Sequence, residues 1–343
     1  LSGHLQKRNS IISNKVLFGL CKQLFAAHSL IFDSQMKISN NTLGILFALL
    51  GALLFSTKAV FVKLAYQHEV DSISLLLLRM IFALPFYLFM IGRVFRSQWQ
   101  EWSKISWRNW IGLVMAAVLG YYLSSLLDFL GLRYISASVE RLILFIYPTF
   151  IAIISFFVYQ ERLSLRQGAA LALSYIGLIF VFGHNLSEFS LDSDFWRGSF
   201  FILGCALTFA IFLVLSQGMI PVFGATSFTS LSMALACCLV IVHFLLVHEV
   251  EGLGALHPHV YLYALAMATL ATVIPSYVVN YAIQRIGATK AAILASVGPI
   301  STISLAYWLL GERLFPGQMV GALLIIVGVT MVSIEMKKSK KAS

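Results

Sequence analysis

Five ionisable side chains stand inside long apolar stretches of this 343-residue chain: Lys58, Arg79, Asp128, Glu140 and Arg141. An unpaired charge at the centre of a bilayer costs at least about 2.5–3.5 kcal/mol, so such residues pair, line water or bind a charged ligand. Lys58 and Arg79 are expected to pair with Asp128 and Glu140, in an arrangement where a substrate carboxylate or phosphate replaces one partner. Asp128 and Glu140 are also the groups a coupling proton would titrate. The alternative is a structural set of ion pairs, with Arg141 and Lys63 reaching toward the interface along their alkyl stems.

Polar residues recur at helical spacing near these charges. Tyr121, Ser125 and Asp128 fall at i, i+4 and i+7, and Thr272, Ser276 and Asn280 at i, i+4 and i+8, so each set shares one helix face. Glu140, Tyr147 and Ser155 share the face of another stretch, whose later counterpart presents Ala291, Ala295, Gly298 and Thr302. One wall would be polar and aromatic and the other small, which leaves room for a ligand, although small residues also permit close helix packing. Pro148 and Pro299 lie mid-stretch and would free the carbonyls of Leu144 and Ala295. Such carbonyls need protein, water or ligand as partners.

Other chemistries lack their residues. There is no Walker loop, Gly-rich phosphate turn, HExxH or CxxC, so ATP-driven pumping and metal-dependent hydrolysis have no visible machinery, and neither enzyme activity nor a cofactor is expected. His248, Glu249, Glu251, His257 and His259 read as a solvated loop rather than a cation site, and Cys237-Cys238 as a buried apolar pair.

The elements that hold these residues follow from composition. Hydrophobic residues make up 59% of the chain and charged ones 11%, against about 25% charged in soluble domains. The chain is therefore expected to be an all-α integral membrane protein. The hydrophobicity excludes disorder, four Cys exclude a disulfide scaffold, and long unbroken apolar runs exclude a transmembrane β-barrel. The net charge of +10 reads as cationic loops beside a bilayer, with no nucleic-acid partner.

A crossing needs about 20 apolar residues, and ten such runs are expected near 43–65, 73–92, 111–131, 137–158, 168–183, 199–217, 227–247, 260–283, 288–310 and 317–335. Most Lys and Arg gather on one side of that arrangement, which places both termini in the cytoplasm. Residues 1–41 are expected to be an extension without its own fold, since Met36 stands just before the first run, and 336–343 a basic cytoplasmic tail.

Tyr134-Ile-Ser-Ala-Ser, Pro148, Glu161-Arg162-Leu163, Gln167 and Gly177 recur as Arg285-Ile-Gly-Ala-Thr, Pro299, Glu312-Arg313-Leu314, Gln318 and Gly328, at a constant offset of 151. The chain is thus a duplicated five-helix unit, spanning 42–183 and 198–335. Five is odd, so the second unit enters the membrane from the opposite side and the repeats are inverted, as in alternating-access carriers. The pairs Glu161-Arg162 and Glu312-Arg313 would each lock a turn or latch a gate. Gly317 and Gly321 have the spacing of a close helix contact.

This pattern resembles the EamA domain of the drug/metabolite transporter superfamily over nearly all the chain after Met36. The resemblance implies a ten-helix carrier of the bacterial inner membrane that moves small metabolites, and names no substrate. Gly287 and Lys290 depart from the first half's Ser136 and Val139. The expected function is a secondary transporter exporting or exchanging a small polar metabolite, such as an amino acid or carboxylate. The alternatives are a carrier of phosphorylated or nucleotide-linked anions and, in another class, a membrane-embedded receptor or enzyme. The sequence assigns no oligomeric state.

Overall fold

The structure is a computed structural model that describes residues 40–135, 137–182, 193–247, 253–254, 256–298, 300–301, 304 and 316–339. The expected extension at 1–39, and Ser136, Pro299, Thr302, Glu312 and Arg313, lie outside the described residues, as do His248, Glu249 and Glu251.

Every regular element among the described residues is helical. In chain order these are α1 (Asn40–Tyr66), α2 (Ser72–Trp102), α3 (Trp107–Ala116) and α4 (Ser124–Tyr134), followed by α5 (Ala137–Leu144), α6 (Tyr147–Tyr159) and α7 (Leu165–Phe182). The second half holds α8 (Ser193–Phe223), α9 (Ala225–Val247), α10 (Pro258–Ala268), α11 (Ile274–Ile286), α12 (Ala288–Leu294) and α13 (Pro316–Ser339). Helices close their own backbone hydrogen bonds, which is what permits them to cross hydrocarbon. Among the described residues, six helical stretches are long and apolar enough to do so: Asn40–Tyr66, Ser72–Arg96, Trp107–Tyr134, Ser193–Phe223, Ala225–Val247 and Pro258–Ile286. Shorter apolar helices at Tyr147–Tyr159, Leu165–Phe180, Ala288–Val297 and Met319–Met331 stand where the other four runs were expected.

The sequence boundaries fall short at α2, which continues to Trp102 rather than stopping near 92. Arg93 and Arg96 do not end a helix; they only end its apolar part. Its start is set by Asp71, whose Oδ1 accepts from the backbone N–H of Ile73 and Ser74, both at 2.9 Å. Asp71→Ala removes this cap and is expected to cost about 1 kcal/mol, seen as a lower melting temperature in detergent with an unchanged elution volume.

The two halves are interrupted at matching places. A π-helical turn at Ala117–Leu123 joins α3 to α4, and another at Thr269–Val273 joins α10 to α11. Such turns are rare and favour functional sites. Neither was foreseen, because no residue type marks a π-turn as Pro marks a kink. The helix around Pro148 breaks between Leu144 and Tyr147, as the missing N–H predicts, and the second half changes to a 3₁₀ turn at Ala295–Val297.

Packing respects the duplication. The helix pair α1 with α11 has α8 with α4 as its counterpart, and α12 against α1 corresponds to α5 against α8, while α2–α9 and α7–α13 each map onto themselves. Small residues make these approaches close: Gly177 on α7 faces the backbone oxygen of Gly321 on α13. The Gly317/Gly321 spacing is therefore used within the chain. Large apolar side chains such as Phe157, Phe200, Leu246 and Leu323 point outward, as lipid-facing residues do.

Candidate functional site

The interruptions converge on a central cavity with an empty volume of about 1150 Å³, its open mouth included. The π-turns supply Gly120, Tyr121, Ala271 and Thr272, and the helix breaks supply Leu144, Phe145, Tyr147, Ala295 and Gly298. Widening a helix by one residue per turn, or breaking it, moves backbone aside and leaves space that unbroken helices would fill. The second half contributes the small residues Ala291, Ala292, Ala295 and Gly298 together with the larger Phe209 and Leu213, and the first half carries Phe55, Tyr121, Phe145 and Tyr147.

Among the described residues, three cations line this cavity, Lys58, Arg79 and Arg141, and no carboxylate does. Asp128 and Glu140 are fully buried behind them. Lys58 Nζ lies 2.8 Å from Asp128 Oδ2, and Arg141 Nε lies 3.3 Å from Glu140 Oε2. Arg141 also donates from Nη2 to the Phe55 carbonyl at 2.9 Å. It turns into the bundle, which corrects its reading as a residue reaching for the interface. Lys63 likewise turns inward and donates to the Leu132 carbonyl at 2.7 Å.

Arg79 is the larger correction. It was expected to pair with a carboxylate, yet its Nη2 donates to Ser125 Oγ at 3.1 Å and its guanidinium carbon stands 5.2 Å from the centroid of Phe129. Its Nε and Nη1 are buried without a hydrogen-bond partner among the described residues. Lys58 already takes Asp128, and Glu140 lies beside its own chain neighbour, so neither carboxylate is left for Arg79.

The polar stripes divide between cavity and scaffold. Tyr121, Ser125, Tyr147 and Thr272 reach the cavity; Ser276, Asn280 and Ser155 do not. Thr272 Oγ1 donates to the Met267 carbonyl at 2.8 Å, five residues back, and so satisfies a backbone oxygen that the π-turn displaces. Ser276 Oγ and Tyr87 Oη share a hydrogen bond of 3.0 Å, and Asn280 Nδ2 donates to Thr229 Oγ1 at 2.8 Å. Sequence reasoning missed Ser56, whose hydroxyl shares its one proton between the Ala52 carbonyl at 2.7 Å and the Gly298 carbonyl at 2.9 Å, tying α1 to the broken helix of the other half. A buried Ser in an apolar helix carries little sequence signal. Of the expected cysteine pair, Cys237 is buried and Cys238 is exposed.

Glu161 and Arg162 sit at the rim of a second cavity with Gln167, Gly287 and Lys290. Glu161 is held by Gln217 rather than by its neighbour: Gln217 Nε2 donates to Glu161 Oε1 at 2.7 Å, and Gln217 Oε1 accepts from the Ala288 N–H at 2.6 Å. Gln217 thus links the Glu-Arg-Leu loop of the first half to the start of α12 in the second. Gly287 takes φ +79° there, a conformation that glycine adopts at little cost.

A bundle of apolar helices with paired interruptions around a cation-lined cavity is the architecture of a membrane transporter. The chain belongs to the EamA-like transporter family, whose model matches residues 42–183 and 196–334. It is 29% identical over 298 residues to the uncharacterized transporter YcbK of Bacillus subtilis, covering 84% of this chain and 92% of that one. It is 23% identical to the uncharacterized transporter sll1319 of Synechocystis, covering 86% and 94% respectively. A solved crystal structure with 16% sequence identity shares the fold at a TM-score of 0.69, covering 86% of this chain and 98% of that one.

Proposed function

We propose that this protein is a secondary carrier of a small organic anion, working by alternating access between inverted five-helix repeats. The observation that carries this reading is Arg79, a cavity-lining guanidinium with two buried N–H groups that lack partners. An anionic carboxylate or phosphate oxygen would accept a charge-assisted hydrogen bond from such a donor, each N–H taking its own oxygen. Lys58 and Arg141 add positive potential, while the aromatic and small apolar walls suit an apolar body on the same molecule. A zwitterionic amino acid fits less well, because among the described residues no carboxylate lines the cavity to receive its ammonium group.

The carboxylates behind the cations supply a coupling device. When a substrate anion takes over Lys58, the charge on Asp128 becomes uncompensated, and a proton on Asp128 or Glu140 restores the balance. Substrate and proton would then move in linked steps.

The ten-span topology is part of the proposal, and contacts at the two ends of the bundle support it. Tyr66 and Ser72, at the first turn, both bond the Phe129 carbonyl near the end of the third helical passage. At the other end Gln217 joins the loops after the fourth and eighth passages, and Ser227 donates to Gln98. Odd loops meet odd loops and even meet even, as ten crossings require. Basic residues in the even loops support a cytoplasmic location for both termini, and the Bacillus subtilis relative supports a bacterial inner membrane.

The test is counterflow in proteoliposomes with labelled carboxylates, sugar phosphates and amino acids. Saturable exchange of an anion is expected, with at least a tenfold loss in Arg79→Met and a smaller loss in Arg79→Lys, which keeps charge but not the paired donors. Exchange of amino acids alone, or full activity in Arg79→Met, would overturn the anion assignment.

A further inference from the structure

Three imidazoles from two loops far apart in the chain meet at one end of the bundle. His68 lies in the turn after α1, His257 caps the start of α10, and His259 is in its first turn. One ligating nitrogen from each lies within 4.8 Å of the others. The His68 and His257 rings are stacked at 4.3 Å with planes 5° apart, and the His259 ring stands 4.8 Å from His257 and 5.5 Å from His68. His257 and His259 are exposed and His68 is half-buried, so an ion from solvent can reach all three.

We propose that His68, His257 and His259 form a binding site for a divalent transition-metal ion, with Zn²⁺ as its representative and water completing the coordination. Three imidazoles without a carboxylate suit Zn²⁺, Cu²⁺ or Ni²⁺ and disfavour Mg²⁺ and Ca²⁺, which prefer oxygen. Metal–nitrogen bonds of about 2.0–2.1 Å place tetrahedral ligands roughly 3.3 Å apart. The two exposed side chains, His257 and His259, have room to rotate and close the observed spacing. The frame is already set: Glu69 at φ 57° turns the chain after His68, and the start of α10 fixes His257 against His259. Loss of solvation, and then the two neighbouring imidazoles, hold His68 below the ordinary histidine pKa. That favours the neutral ring, the form that binds metal.

One existing bond opposes the site. His257 Nδ1 accepts from the His259 N–H at 3.3 Å, and ligation through either ring nitrogen displaces it: through Nδ1 by taking the lone pair, through Nε2 by requiring a proton on Nδ1. At 3.3 Å this is a weak cap, which a metal bond exceeds. The bound ion would join the turn after the first helix of one half to the loop before the third passage of the other.

The experiment is isothermal titration of Zn²⁺ into the full-length protein, purified without a polyhistidine tag and stripped with chelator. Mg²⁺ is the control ion, and Zn²⁺-dependent melting is measured alongside. One equivalent with micromolar affinity is expected, together with a higher melting temperature. His68→Ala should weaken binding at least tenfold and remove the thermal shift while its metal-free melting temperature matches wild type. His257→Ala should do the same. Binding that is unchanged in both variants, or equal for Mg²⁺, would overturn the site. Should His68→Ala lower the metal-free melting temperature, His68→Gln keeps the side chain's bulk and polarity and is read by the same criterion.

Discussion

Asp128→Asn is expected to abolish anion counterflow and to lower stability by about 3–5 kcal/mol, the range found when one partner of a buried ion pair is removed. Lys58 is 15% exposed at its side chain and Asp128 1%, so the lysine charge left behind has little water to turn to. Cys205 Sγ, 4.0 Å from Asp128 Oδ1, is too weak a partner to compensate. Replacing both members, as Lys58→Met with Asp128→Leu, removes the two charges together and should recover most of the lost stability. Transport should not return in the double variant, because Lys58, one of the three cations lining the cavity, and the carboxylate paired with it are both gone. Melting in detergent and counterflow in proteoliposomes separate these effects. A single Asp128→Asn variant that melts and transports like wild type would show that the pair neither holds the bundle nor serves the carrier cycle.

The second large effect concerns the contact between α7 and α13. A Cβ at Gly177 would sit 2.7 Å from the Gly321 backbone oxygen, 2.8 Å from Ile325 Cγ1 and 3.2 Å from the Ile325 nitrogen. A side chain can rotate away, but helix backbone cannot, so the two helices must separate. Gly177→Ala is expected to cost about 1–3 kcal/mol, and Gly177→Leu enough to prevent recovery of folded protein from the membrane. Gly168, on the same helix, has open space around its Cβ position. Gly168→Ala should therefore be neutral or gain up to about 1 kcal/mol from helix propensity. Equal melting temperatures for Gly177→Ala and Gly168→Ala would argue against a close α7–α13 interface. In lipid this contact matters more than apolar area, since hydrocarbon solvates leucine as well as another helix does.

Much of the architecture was legible in the chain itself. Apolar runs about 20 residues long, the recurrence of Pro148, Glu161-Arg162-Leu163, Gln167 and Gly177 at one offset, and the scarcity of charge together specify a duplicated helical membrane bundle. Those signals survive because a bilayer imposes length, apolarity and internal hydrogen bonding on each crossing separately, so every helix must advertise itself. The break before Pro148 was legible for the same local reason: a missing N–H acts wherever the helix lies.

Partner choice was not legible. Which carboxylate each cation takes depends on how helices face one another, and Lys58 meeting Asp128 left Arg79 to Ser125 and the Phe129 ring. The π-turns at 117–123 and 269–273 have no residue signature, because a one-residue widening is selected by what packs on either side. His68 stands 189 residues before His257 in the sequence, and no spacing rule joins them; only the approach of two helix ends brings their rings to 4.3 Å. Local chemistry thus determined which segments are helices and where one of them breaks. The tertiary arrangement alone decided which charges face the cavity, because a burial cost paid by pairing can be met by any partner that the packing presents.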